Sequence, residues 1–336
     1  MWTIDELKTF LSTPRKILIT THSKPDGDAM GSSLAMFHYL IKKGHEPIVV
    51  SPSDYGVYLH WLPGNAGVLA LPADKEKALK HLSEADLIIC LDFNNYKRTE
   101  YFADALRKAT APKLMIDHHL DPEGFEIFRI WNPDACATAE LIYEFMELMG
   151  DLALVDKDIA TCLYTGIITD SGSFRYPNVT PRVHRIVANL MDTGMQHSHV
   201  HDMMFDTFTE KRLRFFGMCI KDKLVVLPEY RAAYISVTKA EIKEYEIVTG
   251  ETEGLVNYSL MLYDVVLAAL IIDREHIVKL SLRSKGDFPA NEFAGKYFEG
   301  GGHLNAAGGS HKGKLEDAVD LYLKGLEEYK PLLLAM

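Results

Sequence analysis

Histidine and aspartate crowd one short stretch of the chain, residues 20–33, T-T-H-S-K-P-D-G-D-A-M-G-S-S. His22, Asp26 and Asp28 bring an imidazole and two carboxylates together there, while Pro25 and Gly27 restrict and bend the backbone between them. Such a cluster suits hard or borderline cations. The competing reading is local: Asp28 caps the helix starting at Ala29, and His22 is a turn residue. Metal chemistry gains weight because the same residue types recur after later apolar runs. Asp92 follows Leu87-Ile88-Ile89-Cys90-Leu91, Asp117-His118-His119 follows Lys113-Leu114-Met115-Ile116, and Asp170 ends an apolar helix in the turn T-D-S-G-S-F. Carboxylates gathered this closely would push up one another's pKa unless cations neutralised them. The cluster therefore implies metal. Mixed imidazole and carboxylate donors favour Mn²⁺, with Co²⁺ or Zn²⁺ next, over Mg²⁺ with its all-oxygen shells. Two ions roughly 3.5–4 Å apart would share a bridging carboxylate and activate a water for in-line displacement at phosphorus.

The elements that must position these groups are readable from periodicity. An apolar run at 16–19 precedes the first loop and helical spacing at Leu34, Phe37, Leu40 and Ile41 follows it, which places the loop at the carboxyl end of a strand. Open α/β sheets bind ligands at that edge. Strand-like runs at 17–20, 47–51, 87–91 and 113–116 alternate with helical runs at 34–42, 75–81 and 97–108. The alternation predicts an α/β fold whose N-terminal domain is a largely parallel sheet flanked by helices. Helices are expected at 138–149, 156–168 and 181–191, followed by a polar stretch from Gln196 to about Phe216. Within that stretch His197, His199 and His201 alternate, but no carboxylate or thiol is spaced to complete a site, so the run reads as a solvated helix or linker. Beyond Ile220, strands are expected at 223–227, 231–237, 264–273 and 276–282, with helices at 239–245, 253–263, 290–298 and 315–329. This is a smaller C-terminal α/β domain. The expected bounds are 1–194 for the metal-binding catalytic domain, 195–219 for a helical linker and 220–336 for the substrate-binding domain.

Composition narrows the function classes. The chain has 336 residues, 47% hydrophobic and 25% charged, with a formal net charge of −11. That length allows two cores, and that acidity argues against a long basic track for duplex nucleic acid while leaving a short anionic substrate compatible. No apolar run reaches a membrane span and the N-terminus lacks a secretory pattern, so a cytoplasmic location without membrane partners is expected. Cys90, Cys136, Cys162 and Cys219 form no C-x-x-C pair and read as buried reduced thiols.

These residues resemble the DHH phosphoesterase superfamily, named for the triad standing here as Asp117-His118-His119. Its four signature segments are present in order as H-S-K-P-D-G-D-A-M-G-S, L-D-F-N-N, I-D-H-H and T-D-S-G-S-F. The second domain carries Gly300-Gly301-Gly302-His303-Leu304-Asn305-Ala306-Ala307-Gly308-Gly309, which looks like the signature of the DHH-associated domain. The resemblance implies His22 and Asp26 on one metal, Asp28, His118 and Asp170 on the other, and Asp92 between them. It also implies that Asp117 orients His118 and that His119 faces the phosphate or leaving group. In the second domain, three glycines let backbone N–H groups approach an anion, with Gly301, Gly302 and His303 as substrate contacts. Arg283, at a strand end, offers a planar fork for phosphate. Arg175 and Asn257 receive no firm role.

The resemblance also sorts the reaction. A nuclease for long strands of the RecJ type would carry an extra nucleic-acid module, the pyrophosphatase branch has a lysine- and arginine-rich signature in place of the glycine run, and the membrane-anchored cyclic-dinucleotide enzymes carry transmembrane segments. What remains is the nano-RNase type: an oligoribonuclease that also removes the 3′-phosphate from 3′-phosphoadenosine 5′-phosphate (pAp). The runner-up is a soluble phosphodiesterase for cyclic di-AMP or pApA, and a third reading is a catalytically dead nucleotide-binding regulator. A homodimer is compatible with the chain.

Overall fold

Aliphatic runs too short for helices become strands, and in the first half of the chain they stack in parallel. The computed structural model describes residues 1–248, 250–274 and 277–336. It divides into two compact units, Met1–Thr207 and Phe208–Met336. In the first, the strands are β1 (Lys16–Thr20), β2 (Glu46–Ser51), β3 (Leu69–Ala70), β4 (Leu87–Leu91), β5 (Lys113–Asp117) and β6 (Phe128–Trp131). They lie in the order β3-β2-β1-β4-β5-β6 with every neighbouring pair parallel. Ile17 and Ile19 pack into one core and Leu18 into another, so β1 is buried on both faces and reads as an unbroken apolar run. The chain leaves β1 toward β2 on one side and returns to β4 on the other. The crevice between β1 and β4 is the switch point at which such sheets hold ligands.

The helices of this unit are α1 (Ile4–Phe10), α2 (Gly27–Lys42), α3 (Lys75–Glu84), α4 (Ala103–Lys108), α5 (Thr138–Met149), α6 (Lys157–Asp170), α7 (Pro181–Asp192) and α8 (His197–Phe205). Three elements were not expected: α1, β3 and β6. The first of these had a visible signal, since Thr3 and Glu6 form a reciprocal capping box. The helix expected over 97–108 is instead a 3₁₀ turn, Tyr96–Phe102, followed by α4, with the break at Glu100 (φ 43°, ψ −110°). Helices α2, α5 and α6 pack on one another with small residues at the contacts. A Cβ on Gly166 of α6 would lie 2.6 Å from Ala139 Cβ and 2.7 Å from Asp28 Oδ1, so this glycine is what lets α6 reach the first loop.

The second unit contains α9 (Glu210–Met218), β7 (Leu224–Leu227), β8 (Ala232–Val237), α10 (Lys239–Glu244), α11 (Leu255–Leu260), β9 (Leu267–Arg274), β10 (Ile277–Ser284), α12 (Ala290–Tyr297), β11 (Gly301–His303), β12 (Ala306–His311) and α13 (Leu315–Ala335). Its sheet runs β11-β12-β10-β9-β8-β7, with β8 and β9 parallel and the other pairs antiparallel. The start expected for β10, His276, lies outside the described residues. The glycine run, expected as an anion-binding loop, is a β-hairpin formed by β11 and β12. Gly302 has φ +138° and its Cβ would meet Ala306 O at 2.6 Å, so hairpin closure itself demands glycine there.

The expected linker does not stand apart from the two cores. Val200 and Met204 of α8 join the first core, and Phe215 and Phe216 of α9 join the second. The histidine run has a packing role on α8: His201 Nε2 lies 3.0 Å from the Tyr164 hydroxyl, and His199 meets Trp61 edge to face. All four cysteines are buried free thiols. Among the described residues no helix is long and apolar enough to cross a membrane.

Candidate metal centre

Parallel register carries the strand-end residues to one edge. Thr20 pairs with Cys90 and Leu91 with Ile116, so His22, Asp92 and Asp117 emerge from β1, β4 and β5 side by side. Asp92 is further fixed by its backbone N–H, which donates to Ile116 O at 3.1 Å, and by a left-handed φ of 62° that turns the chain out of the strand. Asp170 arrives from α6, one turn beyond Gly166 and on the same helix face.

One carboxylate organises the contacts. Asp92 Oδ2 lies 3.3 Å from His22 Nε2, while its Oδ1 lies 3.6 Å from His118 Nε2 and 3.6 Å from His119 Nδ1. His118 Nε2 is also 3.4 Å from Asp170 Oδ2 and 3.9 Å from Asp28 Oδ2. Donor atoms converge as His22, Asp26 and Asp92 in one group and as Asp28, Asp92 and His118 in another, each within 4.8 Å. Two donors sharing one ion at about 2.1 Å and near-tetrahedral or octahedral angles stand about 3.0–3.4 Å apart. The His22–Asp92 and His118–Asp170 contacts, at 3.3 and 3.4 Å, fall in that range, while His118 stands a little further from Asp92 and Asp28, at 3.6 and 3.9 Å.

Both candidate imidazole ligands are held through Nδ1. His22 Nδ1 lies 2.9 Å from Ser23 O and His118 Nδ1 lies 3.0 Å from Ala135 O. A carbonyl only accepts, so Nδ1 carries a proton in each ring and Nε2 is the nitrogen turned toward the carboxylates. Asp117 was expected to orient His118. It instead accepts from His119 Nδ1 at 2.8 Å, because the chain turns after Asp117 and brings the second histidine, not the first, back over its carboxylate.

The first-loop aspartates divide their work in a way the sequence left open. Asp26, not Asp28, caps α2: its Oδ1 accepts from the N–H groups of Asp28 and Ala29 at 3.0 and 3.1 Å. Asp28 is bound by the amino end of α5, accepting from Thr138 N–H at 2.6 Å and Ala139 N–H at 2.9 Å, with the Ser32 hydroxyl at 3.2 Å. Helix amino termini favour such anions. Thr138 is a residue that sequence reasoning missed; its hydroxyl also donates to Asp92 Oδ1 at 2.9 Å, so one residue ties two carboxylates together. Its position at the start of α5 was the available signal.

Electrostatics agree with a site built for cations. Burial and the neighbouring Asp92 and Asp170 carboxylates push the Asp28 pKa well above its ordinary value. Burial works against a charge on His118, yet Asp170, Asp92 and Asp28 outweigh it and raise its pKa to about 9. Burial opposes the charge on Asp92 too, but the imidazoles of His22, His119 and His118 hold that carboxyl below the usual range. The cluster thus relieves its negative charge with protons, and divalent cations would relieve it by displacing them.

In the second unit, register places Arg283 of β10 opposite Ala306 of β12, and Ala306 opposite His303 of β11, so Arg283 and His303 flank one residue at one end of the sheet. Gly301 is exposed on the same hairpin, next to Gly302.

Comparison with known proteins places these geometries. Residues 16–167 match the DHH family N-terminal domain and residues 232–329 match the DHHA1 domain. A crystal structure of an exopolyphosphatase-related protein from Bacteroides fragilis is similar at a TM-score of 0.93 and 37% identity, over 98% of this chain and 97% of that one. The bifunctional oligoribonuclease and PAP phosphatase NrnA of Thermus thermophilus is 29% identical over 317 residues, 93% of this chain and 89% of that protein. Cyclic-di-AMP phosphodiesterase PdeA of Listeria monocytogenes is 24% identical over 95% of this chain but only 49% of that protein. With both domains matched in order and a solved relative aligned from end to end, the chain belongs to the DHH family and carries a DHHA1 domain as its second unit.

Proposed function

We propose that the chain is a two-metal phosphoesterase that hydrolyses short oligoribonucleotides, and pAp, to mononucleotides. The observation that carries this reading is Asp92, whose two oxygens face two different donor groups across the switch point. In this reading His22 and Asp26 would hold one cation and Asp28, His118 and Asp170 the other, with Asp92 shared between the two groups. Bound there, the ions, Mn²⁺ by donor chemistry, supply a nucleophilic water at neutral pH and neutralise the phosphate. Asp117 holds His119 through Nδ1, and His119 faces the phosphate or leaving group. Arg283, Gly301, Gly302 and His303 bind the remaining phosphate or base of the substrate. The relatives with a matching two-domain length and the chain's net charge of −11 both favour short substrates over duplex nucleic acid.

The test is hydrolysis by purified protein with Mn²⁺ of pAp, pApA, cyclic di-AMP and RNA of two to five nucleotides. Preferred turnover of RNA and pAp is expected. Preferred turnover of the intact cyclic dinucleotide would replace this substrate assignment, and Asp92→Asn retaining activity would overturn the metal assignment.

A further inference from the structure

Arg98 carries a guanidinium for which the described residues provide no partner. It sits in the 3₁₀ turn Tyr96–Phe102, just beyond the strand end that holds Asp92. Its backbone is fixed: Ser23 N–H donates to Arg98 O at 2.7 Å, and the Ser23 carbonyl in turn accepts from His22 Nδ1. The turn bearing Arg98 and the loop bearing His22 are therefore one hydrogen-bonded assembly. The side chain is half-buried, and its Nε is shut off from solvent without an acceptor. Among the described residues it has neither a hydrogen bond nor a carboxylate partner. Its charge nevertheless bears on both His22 and His119, opposing protonation of each.

A buried donor without an acceptor is costly, more so when charged, so it is retained where a ligand completes it. We propose that Arg98 receives a non-bridging oxygen of the phosphoryl group under hydrolysis, beside His119 and supplied by the metal-binding unit itself. This rests on the phosphoesterase reading and names the side chain that reads the anion at that site. A guanidinium suits the role because its charge is permanent and its fork can meet two oxygens. Charge on those oxygens changes during phosphoryl transfer, and a fixed cation aimed at them is stabilising without reorganisation.

The experiment compares full-length wild type, Arg98→Gln and Arg98→Lys loaded with Mn²⁺. Calorimetry gives Mn²⁺ stoichiometry and the affinity for inorganic phosphate, and steady-state kinetics on pAp give kcat and KM. Arg98→Gln should keep its Mn²⁺, bind phosphate about tenfold or more weakly, and lose about 10²–10³ in kcat/KM, with most of the loss in kcat. Arg98→Lys should recover part of both. The inference is overturned if Arg98→Gln holds Mn²⁺ and stays within about twofold of wild type in both measurements. It is equally overturned if both variants lose Mn²⁺, since Arg98 then only organises the His22 loop. Wild type that binds phosphate through Arg98 but turns over no nucleotide would sink the phosphoesterase reading and leave Arg98 standing only as a phosphate-binding side chain.

Discussion

Thr138 offers the sharpest test of how the candidate metal centre is held. Its hydroxyl donates to Asp92 Oδ1 at 2.9 Å in a fully buried setting, while its backbone N–H serves Asp28. Thr138→Val removes the hydroxyl, keeps the shape and leaves the backbone bond in place. A hydrogen bond to a charged group contributes about 1.5–3 kcal/mol. At about 1.4 kcal/mol per factor of ten, that corresponds to roughly 10–100-fold in affinity, in line with the 10–100-fold loss typical when a partner behind a metal ligand is removed. Titration of apo protein with Mn²⁺ by calorimetry should therefore show affinity for both ions weakened by about 10–100-fold, because Asp92 faces both donor groups. Thr138→Ser keeps the donor and should stay near wild type. A valine variant that binds both ions as tightly as wild type, or a serine variant as weak as the valine one, would refute Asp92 as the shared ligand.

Three further outcomes follow from the packing. Gly166→Ala puts a methyl 2.7 Å from Asp28 Oδ1 and 2.6 Å from Ala139 Cβ; thermal melts should show a loss of about 1–3 kcal/mol, with Mn²⁺ binding weakened as Asp28 is displaced. Gly302→Ala, at φ +138°, should cost about 1–3 kcal/mol and raise KM while leaving Mn²⁺ stoichiometry unchanged, since only the second unit's hairpin is touched. The third concerns acid. Burial opposes the charge on Asp151, but its Tyr39 and Lys43 partners outweigh that and hold its pKa below 3.8. With a depressed folded pKa, its contribution is full above the ordinary value and disappears as pH falls through the folded one. Asp151→Asn should thus be about 1–2 kcal/mol less stable than wild type in urea melts near neutral pH, with the gap closing in acid. A gap unchanged down to about pH 2 would refute the linkage.

The parallel sheet of the first unit, and which residue types lie at its carboxyl edge, were legible in the order of residues alone. An aliphatic run buried on both faces reads the same in any context, and parallel strands put all their exits on one side. His22, Asp92 and Asp117 were therefore legible from their place after β1, β4 and β5. The short β3 and the hairpin of β11 and β12 were not. Two residues carry no periodicity, and glycines that a turn and a close approach both require look like a flexible loop. What holds the candidate metal ligands depends on the packing of distant elements. Which aspartate caps α2, which histidine Asp117 engages, and that Thr138 bridges Asp28 to Asp92 all depend on side chains about 45 to 110 residues apart, or on a rotamer choice within one loop. Periodicity records which face of an element is buried, whereas a hydrogen bond records which atom another element happens to bring within 3 Å; only the packing of α2, α5 and α6 over the strand ends settles the second.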